Sequence, residues 1–285
     1  MSETLIQVRD GKVHLEEPEE EARFPWSASR LKKMLLCPRQ FRFAYLDGLP
    51  TTVTAPLAFG RAVHETVRCA HEEQMIERVL PPIHEVLERF DELWAVTLEE
   101  EEVLFRPSHP SIEKYQTMGH EALRVFYTLN SDAPIPLAVE LPFEVEVQGR
   151  NRQGEKEMFL LRGIVDRVDE VLGLTGESAL VVVDYKSGSR KPKPEEAQGD
   201  VQLTLYALAL RQMTGMSVEQ VEFHLLRDGQ VLASRRDEVA LAHLTHELLP
   251  YASHTLRNKG FKPCPGYWCR WCDFQEPCRQ EGGVL

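Results

Sequence analysis

Two acidic residues and a lysine stand in an order that suits phosphoryl chemistry. Asp166 lies in Gly163-Ile164-Val165-Asp166-Arg167-Val168-Asp169, and Asp184 and Lys186 lie in Asp184-Tyr185-Lys186. The run Val181-Val182-Val183 leads into Asp184 and reads as a buried strand. Residues two apart on a strand face the same way, so Asp184 and Lys186 share a face. Acids and a lysine on one surface are costly unless they hold a cation. A divalent ion makes sense of Asp166 and Asp184, and it leaves the lysine to meet a phosphate oxygen or an attacking water. That is equipment for metal-assisted phosphodiester hydrolysis. Asp169, three residues after Asp166, faces away on a strand. Gln202 and Tyr206, four apart, fall on one face of a helix. His64, taken alone, reads as an ordinary helical histidine, and Glu140, at a strand start, reads as structural.

The cysteines form a second group. Cys269-x2-Cys272-x5-Cys278 closes the chain, and Cys37 stands far upstream, just ahead of Pro38-Arg39-Gln40-Phe41. Three close thiols need a fourth to complete a tetrahedral site or a cubane cluster. Four thiolates suit either zinc or iron–sulfur. Cys264 reads as a free thiol and Cys69 as a small buried residue in a helix.

These residues must be carried by an ordered frame. The 285 residues are enough for one good core with appendages. No apolar run approaches membrane-spanning length, and the N-terminus has no secretory pattern, so a cytoplasmic, reducing location is expected. The net charge of −12 is unevenly placed. Residues 1–22 carry seven acids against two bases, and residues 65–102 carry twelve against three. Residues 23–64 hold seven bases and one acid, so a locally basic surface is expected there, with Lys32, Lys33 and Arg42 as phosphate contacts.

Along the chain, residues 1–22 form a polar lead with room for a short hairpin. Ser27 caps a helix through SRLKKMLL, Cys37-Pro38 breaks it, and a second helix follows through RQFRFAYL. A helix from Phe59 to about Glu73 carries His64, and residues 83–130 are helical apart from a turn at Pro107 to Pro110. Strands are expected at Leu137 to Val147, Met158 to Asp169 and Ala179 to Lys186. A basic loop, SGSRKPKPEEAQGD, then leads to a helix from about Gln198 to Met213. Strands near 218–227 and 230–236 and a helix near 240–258 complete the core. The tail, rich in Pro, Cys and Trp, reads as irregular. The division is a lead (1–22), an N-terminal helical part (23–70), a helical insertion (71–136), a core (137–258) and a cysteine-rich tail (259–285). The fold class is α/β (α+β).

The ordered series Gly163-x-x-Asp166, Asp184-Tyr185-Lys186 and Gln202-x3-Tyr206 resembles the PD-(D/E)XK nuclease superfamily, and within it the RecB-like branch. The Cys37-Pro-Arg-Gln-Phe motif with the late cysteines is similar to the iron–sulfur subset of that branch, which includes AddB-type nuclease domains and the small nucleases of CRISPR spacer acquisition. The resemblance implies a core with a central mixed sheet. It implies a [4Fe–4S] cluster on Cys37, Cys269, Cys272 and Cys278, clamping the tail to the N-terminal helices. It implies Mg²⁺ or Mn²⁺ held by His64, Asp166, Asp184 and the Tyr185 carbonyl, with Lys186 as activator. It also implies that Gln202 and Tyr206 position Lys186 and the DNA backbone. The expected activity is a metal-dependent deoxyribonuclease, favouring single-stranded DNA and exonucleolytic attack, in repair, recombination or defence. End-trimming or endonucleolytic work within a larger complex is the alternative, and a non-catalytic iron–sulfur DNA-binding scaffold is the rival from another class. The chain has no Walker A motif, so a helicase or CRISPR adaptation protein would be a separate partner. Aromatics near the tail (Phe41, Phe43, Tyr267, Trp268, Trp271, Phe274) could stack bases, although core packing is the commoner use.

Overall fold

A computed structural model of the chain describes residues 23–173, 176–188 and 190–283, and the backbone of 6–9 and 12–15. The last two segments are strands β1 (Ile6–Arg9) and β2 (Lys12–Leu15), which pair antiparallel as a hairpin. The rest of the expected polar lead lies outside the described residues.

A five-stranded mixed sheet carries the site. Its strands are β3 (Ala138–Arg150), β4 (Lys156–Leu172), β5 (Ser178–Lys186), β6 (Ser217–Leu225) and β7 (Gln230–Ser234), in spatial order β3-β4-β5-β6-β7. Neighbours are antiparallel except β5 and β6, which run parallel. The β3–β4 turn forms where the sequence is polar: Asn151 Oδ1 accepts from the Gln153 and Glu155 amides, and Gly154 takes a positive φ. The parallel step needs a crossover, supplied by α6 (Pro194–Gln198) and α7 (Val201–Thr214). Asp200, whose carboxylate accepts from the Gln202 and Leu203 amides, starts α7 later than the pattern suggested. The basic loop is not wholly irregular, since α6 lies within it.

β5 is buried on both faces, as its continuous apolar run requires. Leu180 and Val182 enter a core with α1 (Ala28–Leu36), α2 (Pro38–Tyr45) and α7. Val181, Val183 and Tyr185 enter a second core with α3 (Ala55–Glu77), α4 (Ile83–Glu100) and α5 (Ile112–Asn130). α3 begins four residues ahead of the expected Phe59, because Pro56 suits a first helical turn, and it runs through residue 70 without a break. The helix expected near 240–258 is α8 (Glu238–His243) and α9 (Leu249–Arg257), joined by a π turn over Leu244–Leu248, just ahead of Pro250, which has no N–H to donate. The tail corrects the irregular reading: Tyr267–Trp271 form a 3-10 turn and α10 spans Gln275–Gln280.

Candidate metal centre and active site

β3 and β4 pair in constant register on either side of one gap, at Glu140 and Asp166, which stand opposite each other. Glu140 has φ 44°, in the left-handed region that a non-glycine residue rarely occupies. Like charges directly opposite on a sheet repel, and the backbone strain adds to the cost. Potential ligand atoms of His64, Glu140 and Asp166 all lie within 4.8 Å of one another, the one such grouping among the described residues, and a cation between them would offset both costs. His64 comes from α3, with Nδ1 3.4 Å from Asp166 Oδ2. The sequence placed His64 and Asp166 here and read Glu140 as structural. The signal for Glu140 lies in its cross-strand register and its φ, which a linear sequence does not display.

Asp184 and Lys186 point together off β5, with Nζ 2.5 Å from Oδ2. Asp184 is only 1 % exposed, and its Oδ2 takes no aligned hydrogen bond, so lone pairs remain for a cation. Its Oδ1 accepts from Gln202 Nε2 at 2.7 Å, and the same Nε2 lies 3.0 Å from the Tyr206 hydroxyl. Gln202 therefore steadies Asp184 directly, and Lys186 only through it. Lys32, expected on a phosphate-binding surface, instead bonds Asp200 and Gln202 Oε1. The other bases of that segment are also engaged. Arg42 pairs with Asp47 and Glu281, and Lys33 lies over the Tyr45 ring. The expected basic surface is thus largely spent on joining elements.

Gly163 lies opposite Phe143. A Cβ there would fall 2.6 Å from the Phe143 ring, so only glycine lets that ring lie flat over β4 and reach Tyr206. The Tyr185 amide donates to Asp166 Oδ2 at 3.1 Å and orients it. The Tyr185 ring lies on the far face, where its hydroxyl is 2.7 Å from His71 Nε2 and 3.1 Å from Arg167 Nη1. Arg167 is itself fully buried, paired with Asp169 at 2.7 Å and bonded to Asn130 and the Pro134 carbonyl. Asp169 therefore serves the interior. Nothing in the spacing of His71, Asn130 and Arg167 announces this network.

Burial and the facing Asp184 charge hold the Asp166 carboxyl well above its ordinary range, and burial raises Glu140 as well. Burial lowers His64, leaving its imidazole neutral and able to ligate. Burial also opposes the charge on Lys186, but Asp184 and Asp166 outweigh it and keep the ammonium. An acid raised in the folded state binds protons that the unfolded chain has released. In metal-stripped protein these two acids therefore contribute more stability as pH falls through their raised values, while the lowered His64 contributes with the opposite sign. Glu140→Asn keeps a residue tolerant of the left-handed region and removes the charge. It should raise the melting temperature of metal-stripped protein and weaken Mn²⁺ binding at least about tenfold, read by calorimetry. Unchanged Mn²⁺ affinity would remove Glu140 from the ligand set.

His64, Glu140 and Asp166 line a cavity of about 730 Å³ between α3, α4 and the sheet, which Arg61, Tyr185 and Lys186 also reach. A divalent cation held by this grouping, beside the charged Lys186, would suit metal-assisted phosphodiester hydrolysis. The chain belongs to the PD-(D/E)XK nuclease superfamily, whose family model matches residues 25–279. No curated protein matches the chain.

Cys37, Cys264, Cys269, Cys272 and Cys278 line one pocket between α2 and the tail. The Cys264 amide points at Cys37 Sγ (3.4 Å), the Gly266 amide at Cys269 Sγ (3.4 Å) and Gln40 Nε2 at Cys272 Sγ (3.6 Å). Cys264 itself is exposed, and Cys69 is half-buried on α3 rather than buried. Phe43 and Phe274 pack together beneath the pocket, while Tyr267 and Trp271 stand exposed.

Proposed function

We propose that the protein is a deoxyribonuclease of the RecB-like branch, acting on single-stranded DNA, with exonucleolytic attack favoured. The observation that carries this reading is the convergence of His64, Glu140 and Asp166 on one point beside the Asp184–Lys186 pair. These residues would hold Mg²⁺ or Mn²⁺; a bound divalent ion lowers the pKa of water and offsets charge building on phosphorus. His64, Glu140, Asp166 and Asp184 would supply the ligands, with the Tyr185 carbonyl beside them. Gln202 and Tyr206 keep Asp184 in place. Lys186 presents its ammonium to a phosphate oxygen or to the attacking water. No described helix is long and apolar enough to cross a membrane. Cytoplasmic work beside a separate strand-opening partner suits this equipment.

The cysteines are read as holding a [4Fe–4S] cluster through Cys37, Cys269, Cys272 and Cys278. N–H groups of the Cys264 and Gly266 backbone and of the Gln40 side chain are directed at the sulfurs of Cys37, Cys269 and Cys272, where they would donate to cluster-bound ligands.

Purified protein should cut linear single-stranded DNA in Mg²⁺ or Mn²⁺ and stop in EDTA. It should prefer linear over circular strands and both over blunt duplex at one salt concentration. Equal rates on circular and linear strands would replace the exonuclease reading with the endonuclease one. Binding without metal-dependent cutting would favour the scaffold.

A further inference from the structure

Two cavities meet at Lys186. The one that holds the metal ligands is acidic: Arg61 and Lys186 face Glu65, Glu101, Glu140 and Asp166. The second, of about 290 Å³, has the opposite character. Lys186, Arg190, Lys191 and Arg227 line it against one carboxylate, Asp228. Its cations are held from the side. Asp228 takes Lys191 at 2.6 Å, and Glu196 of α6, which is not part of the lining, takes Arg190 at 2.6 Å. Glu196 also accepts from the Lys193 amide, which ties the loop to the helix. With Asp184 paired to Lys186 as well, the four cations meet three carboxylates, which leaves one net positive charge around this cavity against the acidic balance of the first.

A strand whose reacting phosphate lies at Lys186 must lead its neighbouring phosphates past one of these two cavities. The acidic one repels them and the basic one attracts them. We propose that the second cavity is a subsite for a phosphate group of the same DNA strand, beside the one being cleaved, held by Arg190, Lys191 and Arg227. Division of labour follows: cations go to one side of Lys186 and substrate phosphates to the other. The proposal rests on the nuclease reading above.

The test compares two substrates in Mn²⁺. Bis(p-nitrophenyl) phosphate has one phosphodiester and cannot fill the second cavity; a 20-residue oligothymidylate can. In a Lys191→Ala/Arg227→Ala protein, kcat/KM on the oligonucleotide should fall about tenfold, mainly through KM, and its ratio to the single diester should fall with it. The salt dependence should flatten by about 1.4 in slope for two lost phosphate contacts on a single strand. Lys191→Arg should restore most of the loss. Asp228→Asn should move the other way and tighten oligonucleotide binding, a gain that misfolding cannot imitate. A loss confined to strands with a 5′ phosphate places a terminal phosphate in the cavity, and an equal loss on 5′-hydroxyl strands places an internal one. Equal losses on both substrates, or no gain from Asp228→Asn, would overturn the subsite. Wild-type protein that hydrolyses neither substrate would instead sink the nuclease reading, and the subsite with it.

Discussion

Lys186→Met should cut DNA hydrolysis by about 10²–10³ while the protein stays folded and still binds Mn²⁺. Removing one preorganised charge that acts on the reacting phosphate costs about this much. Lys186 is kept charged by Asp184 and Asp166, and its Nζ rests 4.7 Å from the centre of the Phe223 ring. Methionine can cover the same ring, and Asp184 keeps its bond from Gln202. The loss should therefore fall on kcat more than on metal affinity. Asp184→Asn should behave differently. It keeps the Gln202 contact through its amide oxygen but loses the charge a cation needs, so metal affinity and cleavage should fall together. The measurements are single-turnover cleavage alongside Mn²⁺ calorimetry. Undiminished cleavage by folded Lys186→Met protein would end the role assigned to this lysine.

The second large effect concerns the tail. Anaerobically purified protein should be brown, with about four irons per chain. Cys37→Ala should bleach it and lower the melting temperature by roughly 10 °C, the shift expected for a loss of a few kcal/mol in a chain of this size. Cys37 begins α2, whose Phe43 packs on Phe274 and whose Arg39 and Arg42 reach Glu281. Those contacts alone are few, and the two ion pairs are partly exposed, where such pairs contribute little. A cluster spanning α2 and the tail would supply most of the hold. Cys264→Ala should leave colour and stability alone, because the residue is exposed and its contact with Cys37 Sγ is made by its backbone amide, which alanine keeps. Stoichiometric zinc without iron, in protein made anaerobically with ample iron, would reverse the assignment.

The five-stranded sheet and the pairing of Asp184 with Lys186 were legible because a strand repeats every two residues. Gln202 and Tyr206 were legible because a helix brings fourth neighbours together. Glu140 was not, since its place depends on standing opposite Asp166 and on a left-handed backbone. The basic segment misled for a related reason. Composition counts Lys32, Lys33 and Arg42 as surface charge, whereas their partners Asp200, Tyr45 and Glu281 are mostly far away in sequence. The helices of the tail escaped because Pro, Cys and Trp hide any apolar period. The Arg167 network left no trace, since it joins α3, α5 and two strands through single side chains.

β5 lies between two hydrogen-bonded neighbours and two cores, so its amide protons should be among the slowest in the molecule to exchange with deuterium. β3 and β7, at the sheet edges, should exchange sooner. The Asp184 carboxylate and the Lys186 ammonium are thus mounted on the last segment to open. Limited proteolysis should nick the chain in the loop after Lys186 long before it reaches Asp184.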